Sequence, residues 1–234
     1  MGAALLEFDG IRVTRGAFHL SADLAVPTGA RVAVIGPSGS GKSTLLSLVG
    51  GFLEPDRGRI RVDGQDITAL PPGRRPVSML FQDQNLFPHL TVAQNLGLGL
   101  RPDLRLSEPQ RARVAQVLAE VGLDGTENRR PANLSGGQQS RVALARVLLR
   151  ARPVLLLDEP FAALGPALKA EMLALLARIA DRTNATVLMV THDPGDARRL
   201  APQTILVDGG VAHPPVPTDP LLDDPPPGLR AYLG

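Results

Sequence analysis

Cysteine and tryptophan are absent from this 234-residue chain, and tyrosine occurs once. The lack of cysteine excludes disulfides and thiolate metal sites and suits a reducing compartment. Aromatics make up only 3% of the residues, which argues against a surface built on base stacking and so against nucleic acid as a partner. The net charge is only +2, so the basic stripe of a nucleic-acid binder is missing as well. Lysine is almost absent too: Lys42 and Lys169 are the only two, and arginine carries the rest of the positive charge. No apolar run approaches the roughly 18 residues that a membrane-spanning helix needs. Residues 1–7 are too short and uncharged a stretch for a signal peptide. What remains is 44% hydrophobic and 21% charged, enough for one domain or a compact pair of lobes with an ample core. No internal repeat is visible.

The most informative stretch present is Gly36, Pro37, Ser38, Gly39, Ser40, Gly41, Lys42, Ser43 and Thr44. It fits Gly-x4-Gly-Lys-[Ser/Thr], and it sits between a strand-like run at 31–35 and a helix-like run at 45–49. Glycines let the backbone turn so that successive N–H groups face a polyphosphate, and the following helix adds its positive end. Lys42 is expected to reach the outer phosphates, and the Ser43 hydroxyl to hold Mg²⁺. By itself the loop marks a nucleotide-phosphate site and no more.

Around this loop the pattern predicts an α/β fold. Short β-prone runs at 5–8, 11–14 and 18–26, and an alternating run at 59–62 before Asp63-Gly64, predict an N-terminal antiparallel β-subdomain. Gly50-Gly51 reads as the end of the P-loop helix. Residues 76–82 read as a buried strand ending in Gln82, and residues 85–133 as helical. Ser107 opens a capping box, Val114, Val117, Leu118 and Val121 mark one helix face, and Gly122 stops that helix. A second helix runs over 135–150 with Ser135 as N-cap. Buried strands follow at 154–157 and 186–190 with a helix over 166–180 between them, and a strand at 205–207 closes the sheet. Beyond 214 the prolines predict an extended tail, anchored by Leu229, Tyr232 and Leu233.

Two further segments carry chemistry. The strand at 154–157 delivers Asp158 and Glu159 to its C-terminal end, the edge where α/β sheets bind ligands. Asp158 there can orient a Mg²⁺ shell, and Glu159 can act as general base on water. Residues 134–138 open a helix with Ser135, Gly136, Gly137 and Gln138. Free N–H groups, a hydroxyl and a helix dipole make either an anion site or a mere N-cap.

Together these segments resemble the ATP-binding cassette family over almost the whole chain. The resemblance implies a P-loop nucleoside triphosphate hydrolase core with a helical signature subdomain at about 85–150, a cassette over 1–213 and a tail over 214–234. It implies that Ser135, Gly136, Gly137 and Gln138 are the signature that caps ATP held by a second copy, in a head-to-tail dimer. It makes Gln82 the glutamine that senses Mg²⁺ and the membrane subunit, Asp158 and Glu159 the Walker B aspartate and catalytic glutamate, and His192 the switch histidine on the γ-phosphate. Mg²⁺ ligands would be Ser43, Gln82 and Asp158.

Residues 81–95 resemble the segment that receives a coupling helix in bacterial importer ATPases. The family therefore implies integral-membrane permease subunits as partners, a periplasmic solute-binding protein indirectly, and a peripheral place on the cytoplasmic face of the inner membrane. Residues 71–82, 90–100 and 158–168 are most similar to importer ATPases that serve thiamine and its phosphates. Iron, polyamine, sulfate or sugar importers are the alternatives, and cassette ATPases acting on DNA or ribosomes a more distant one. The chain departs from the family in three places. Gly165 stands where an aspartate is usual, Gln139-Ser140 replace Arg-Gln, and the adenine-stacking aromatic has no clear counterpart, leaving Arg15 or Phe18 to take that role.

Overall fold

The computed structural model describes residues 4–81 and 86–233. In chain order the elements are β1 (Ala4–Arg15), β2 (Phe18–Pro27), β3 (Arg31–Ile35), α1 (Lys42–Gly50), β4 (Arg57–Val62), β5 (Gln65–Asp66), β6 (Val77–Leu80), α2 (Val92–Gly97), α3 (Glu108–Glu120) and α4 (Gly136–Leu149). They continue with β7 (Val154–Asp158), α5 (Pro166–Thr183), β8 (Thr186–Val190), α6 (Pro194–Leu200), β9 (Gln203–Asp208), β10 (Val211–Ala212), β11 (Val216–Pro217), α7 (Thr218–Asp223) and α8 (Pro227–Leu233).

Strands lie side by side in the order β5-β4-β1-β2-β10-β9-β3-β8-β7-β6. The first part is the expected antiparallel subdomain, with β1 between β2 and β4. The two runs read at 5–8 and 11–14 are one strand, because a bulge between Phe8 and Ile11 absorbs the break in alternation. Asp63 (φ 51°) and Gly64 (φ 73°) both take positive φ in the tight β4–β5 turn, as its Asp-Gly sequence favours.

The second part, β9-β3-β8-β7-β6, is parallel throughout. Its strands are continuous apolar runs because both faces are covered. Alternate side chains go to opposite sides: Ala33, Leu155, Leu157, Val187 and Met189 join a core with α3, α4 and α5. Val32, Val34, Val154, Leu156, Leu188 and Val190 join another with α1 and the antiparallel strands. The strand expected to close the sheet does not: β9 is central, between β10 and β3, and β6 is the edge. A crossover decides this, and strand order is not written in local periodicity.

Residues 86–133 are less helical than read. Only α2 and α3 are α-helical there, since Gly97, Gly99 and Pro102 interrupt the chain between them. The capping box at Ser107 and Gln110 is present as expected.

The largest departure is the tail. Its prolines start and punctuate elements rather than keep the chain extended. β11 pairs with β9, Thr218 Oγ1 donates to the Ala201 carbonyl (2.6 Å), and Arg198 bridges Asp219 and Asp223 of α7. Leu229 is fully buried in the α-helical core; the side chain of Leu233 lies outside the described residues. Leu229→Ala is therefore expected to cost about 2–5 kcal/mol in urea unfolding. A loss below about 0.5 kcal/mol, the range of surface substitutions, would mean the tail is not docked. Among the described residues, no helix is long and apolar enough to cross a membrane.

Candidate functional site

The C-terminal ends of β3, β7 and β8 converge on one edge of the parallel sheet, and each delivers a short polar segment there. From β3 comes the P-loop. Gly36 lies so close to the Val207 carbonyl that a Cβ would sit 2.0 Å from that oxygen, and Gly41 holds φ 110° where α1 begins. Both positions demand glycine. The loop borders a cleft of about 420 Å³ lined by Phe18, Ser38, Gly39, Gly41, Lys42, Ser43, Thr44 and Glu159. Lys42 is buried and donates from Nζ to the carbonyls of Gly36 and Pro37, both at 2.8 Å. Burial lowers its pKa, against the pull of Glu159 and Asp158. Ser40 Oγ is buried without a partner among the described residues, an unmet polar group that a phosphate oxygen would satisfy.

From β7 come Asp158 and Glu159. Ser43 Oγ donates to Asp158 Oδ1 (3.2 Å). Burial raises the Asp158 pKa, and the Ser43 hydrogen bond opposes it. Glu159 takes φ 46°, a left-handed conformation that is costly for a side chain with a Cβ and is met at functional sites. Its N–H is held by the Val190 carbonyl of β8 (3.1 Å). From β8 comes His192, whose Nδ1 lies 3.1 Å from Glu159 Oε2. A carboxylate only accepts, so Nδ1 carries the proton in this pair. Lys42, Ser43, Asp158, Glu159 and His192, more than a hundred residues apart at the extremes, thus form one site. Gln82 lies outside the described residues.

Ser135, Gly136, Gly137 and Gln138 stand elsewhere. None of them lines the P-loop cleft. Ser135 and Gln138 form a reciprocal capping box: Gln138 N–H donates to Ser135 Oγ (3.3 Å) and Ser135 N–H to Gln138 Oε1 (3.0 Å). Gln138, read as part of the signature, is here a cap. Gly136 and Gly137 remain at the open end of α4, where helix N–H groups have no intrahelical partner. Gln139, one of the departures, ties back to the Pro131 and Leu134 carbonyls. Gly165 has ordinary extended dihedrals and open space at its missing Cβ, so the backbone does not require glycine there.

Of the two candidates for the base-stacking role, the structure brings Phe18 to the cleft. Arg15 turns away to Asp56 (2.7 Å). One residue escaped the sequence reading. Arg75 is buried and donates to the carbonyls of Thr68, Leu70 and Val49, anchoring the C-terminal end of the P-loop helix. An arginine in a Pro/Gly-rich loop gave no local sign of this. The Tyr232 ring of α8 lies 6.0 Å from Lys42 Nζ, a contact that depends on the folded tail.

A second surface lies beside β6. Met79, Phe81, Phe87, Leu98, Gly99, Arg146, Val147 and Arg150 line a groove of about 250 Å³. Asn95, fully buried, fixes its wall by bonding both the N–H and carbonyl of Phe87 and the carbonyls of Leu90 and Thr91. Phe52, Phe81 and Phe87 are exposed, unusual for aromatics in a chain so poor in them.

The ABC transporter family matches residues 20–162. Over 230 residues the chain is 63% identical to the thiamine import ATP-binding protein ThiQ of Cereibacter sphaeroides, covering 98% of this chain and all of that one. It is 56% identical to the protein of that name from Ruegeria over the same shares. With the Brucella suis protein of that name it shares 50% over 99% of this chain and 97% of the relative. Among solved structures, an ATP-binding cassette of an ABC transporter in its ADP conformation superposes with a TM-score of 0.89 at 25% identity, covering 99% of each chain. A nucleotide-free cassette superposes at 0.87, also at 25% identity, over 99% of this chain and all of that one.

Proposed function

The chain belongs to the ABC transporter family, and on that premise we propose that it is the ATP-hydrolysing subunit of a bacterial importer whose cargo is thiamine and its phosphates. The ATPase reading rests on one observation above others: the Glu159–His192 pair stands at the sheet edge where Lys42 and the P-loop open their cleft. The cargo rests on relatives at 50–63% identity, named for thiamine import.

The chemistry follows phosphoryl-transfer logic. The P-loop N–H groups and Lys42 bind the β- and γ-phosphates, Lys42 exchanging its loop carbonyls for phosphate oxygens. Phe18 lies against the adenine. The oxygen donors Ser43 and Asp158, already in contact, suit a hard cation; with Gln82 they would hold Mg²⁺, which supplies charge neutralisation on the phosphates. Glu159 takes the proton of the attacking water, and its unusual backbone, fixed by Val190, aims the carboxylate. His192 orients that carboxylate and contacts the γ-phosphate.

Each chain is half of a site. Its own cleft lacks residues 135–138, and the open end of α4 is a ready anion site. A second copy, head to tail, brings Ser135, Gly136 and Gly137 onto the γ-phosphate. The groove at Phe81 and Phe87 receives a coupling segment of the permease, which seats the subunit peripherally on the cytoplasmic face of the inner membrane and joins it indirectly to a periplasmic binding protein.

Co-purification with the permease, followed by reconstitution, tests this reading. ATP hydrolysis is expected to rise when thiamine-loaded binding protein is added. Stimulation by another solute but not thiamine would overturn the cargo. Failure of any permease to associate would overturn the transporter reading.

A further inference from the structure

Lys169, one of only two lysines in the chain, has no part in the mechanism above, yet its surroundings are specific. It projects from the first turn of α5 and its side chain is only 13% exposed. Its Nζ lies 3.0 Å from Asp193 Oδ2 and 3.2 Å from Asp196 Oδ2. Asp193 follows His192 directly and caps α6, and Asp196 lies in the first turn of that helix. Around that histidine the polar groups close on one another. Thr191 Oγ1 donates to Asp196 Oδ2 (3.2 Å), Asp193 N–H donates to Thr191 Oγ1 (3.1 Å), and Gly195 N–H donates to Asp193 Oδ1 (2.8 Å). Thr191 and Asp196 are buried, while the His192 imidazole is about half exposed. The imidazole itself is therefore loosely enclosed, and its backbone on either side is what is fixed.

The ammonium is what allows this arrangement. Two carboxylates side by side, one of them buried, repel unless a cation lies between them. Burial penalises the Lys169 charge, but hydrogen bonds to Asp193 and Asp196 outweigh it and hold its pKa above the usual lysine value. The turn that presents Lys169 is itself anchored. Leu168 packs beneath Gly137, where an added Cβ would come within 2.4 Å of Leu168 Cδ2, and Met172 and Leu173 are buried in the core. Residues 159–165, with Glu159 at their start, run directly into this turn.

We propose that Lys169 is a positioning residue for ATP hydrolysis: by clamping Asp193 and Asp196 to the first turn of α5, it holds His192 against Glu159. The inference rests on the site reading above and extends it to a residue outside the lining of the P-loop cleft. A loosened clamp lets the imidazole leave the carboxylate, and a displacement of about 1 Å at reacting groups can cost on the order of 100-fold in rate.

The test is steady-state hydrolysis of Mg-ATP by the full-length protein with its permease, beside thermal unfolding. Lys169→Met is expected to lower kcat by about 10- to 100-fold with KM for ATP changed less than about 2-fold, whereas Lys169→Arg, which keeps a cation, recovers most of the loss. Asp193→Asn, made from the other side of the same pair, is expected to reproduce the kcat defect and carries the test if Lys169→Met does not fold. In a His192→Ala background, Lys169→Met is expected to add less than about 2-fold, because residues acting through one another are non-additive. A full additional loss in that background, an unchanged kcat in a folded variant, or a defect confined to KM would overturn the inference. If His192→Ala itself leaves hydrolysis intact, the site reading fails and this inference with it; if His192→Ala is inactive but Lys169→Met and Asp193→Asn are not, only the inference fails.

Discussion

Glu159→Gln is expected to lower ATP hydrolysis by about 10²- to 10⁴-fold, the range for loss of a positioned general base, while leaving ATP binding intact. The amide matches the carboxylate in size and can keep the strained backbone that the Val190 carbonyl holds at φ 46°. It cannot take a proton from water. Binding and turnover should therefore separate cleanly. If each chain is half of a site, the variant should also accumulate as an ATP-bound dimer, because the step that releases the two copies is blocked. Size-exclusion chromatography with light scattering, with and without ATP, reads the dimer, and phosphate release reads the chemistry. Turnover within about 3-fold of the parent, far inside the range expected for a lost base, would remove Glu159 from its role. Inactivity without an ATP-dependent dimer would keep the base and overturn the paired site.

Lys42→Ala should act on the earlier step. Lys42 is buried at the P-loop and already makes two charge-assisted hydrogen bonds to the Gly36 and Pro37 carbonyls, so its ammonium is held in place before nucleotide arrives. Losing such a preorganised cation is expected to cost about 10²- to 10³-fold in ATP affinity and turnover together. A fluorescent-nucleotide titration measures the first directly. The pH dependence has a definite sign. Burial lowers the Lys42 pKa, so the cation is lost at a lower pH than an ordinary lysine would lose it. ATP affinity of the parent should therefore weaken as the pH rises toward the lysine range, and the Ala variant should lack that limb. An unchanged dissociation constant in the variant would mean that the lysine does not bind phosphate.

Most of the chemistry of this protein was legible in short stretches. The P-loop spacing, the apolar strand ending in Asp158 and Glu159, the capping box at Ser107 and the N-cap at Ser135 are local patterns. Each fixes a backbone turn or a helix start within a few residues. The continuous apolar runs at β3, β7 and β8 likewise announced a sheet covered on both faces. What local pattern could not supply was anything decided by distant partners. The central place of β9 depends on a crossover. Phe18 and Arg15 were equal candidates until Asp56 drew Arg15 away. The prolines after residue 214 read as an extended tail, yet Leu229 finds a buried seat and helices form around it. Lys169 stood out only as one of two lysines.

The sequence by itself determined that the chain cradles a polyphosphate, that two carboxylates stand at a strand end, and which family those motifs belong to. These are properties of residue type and spacing along a few turns of chain. Only the tertiary structure decided that Glu159 meets His192, that residues 135–138 do not line their own P-loop cleft, that the tail comes to lie beside Lys42, and that Lys169 pairs with Asp193 and Asp196. The physical reason is the same in each case. Such contacts join residues tens to nearly two hundred positions apart, and they exist because the packing of helices on both faces of one sheet brings them together.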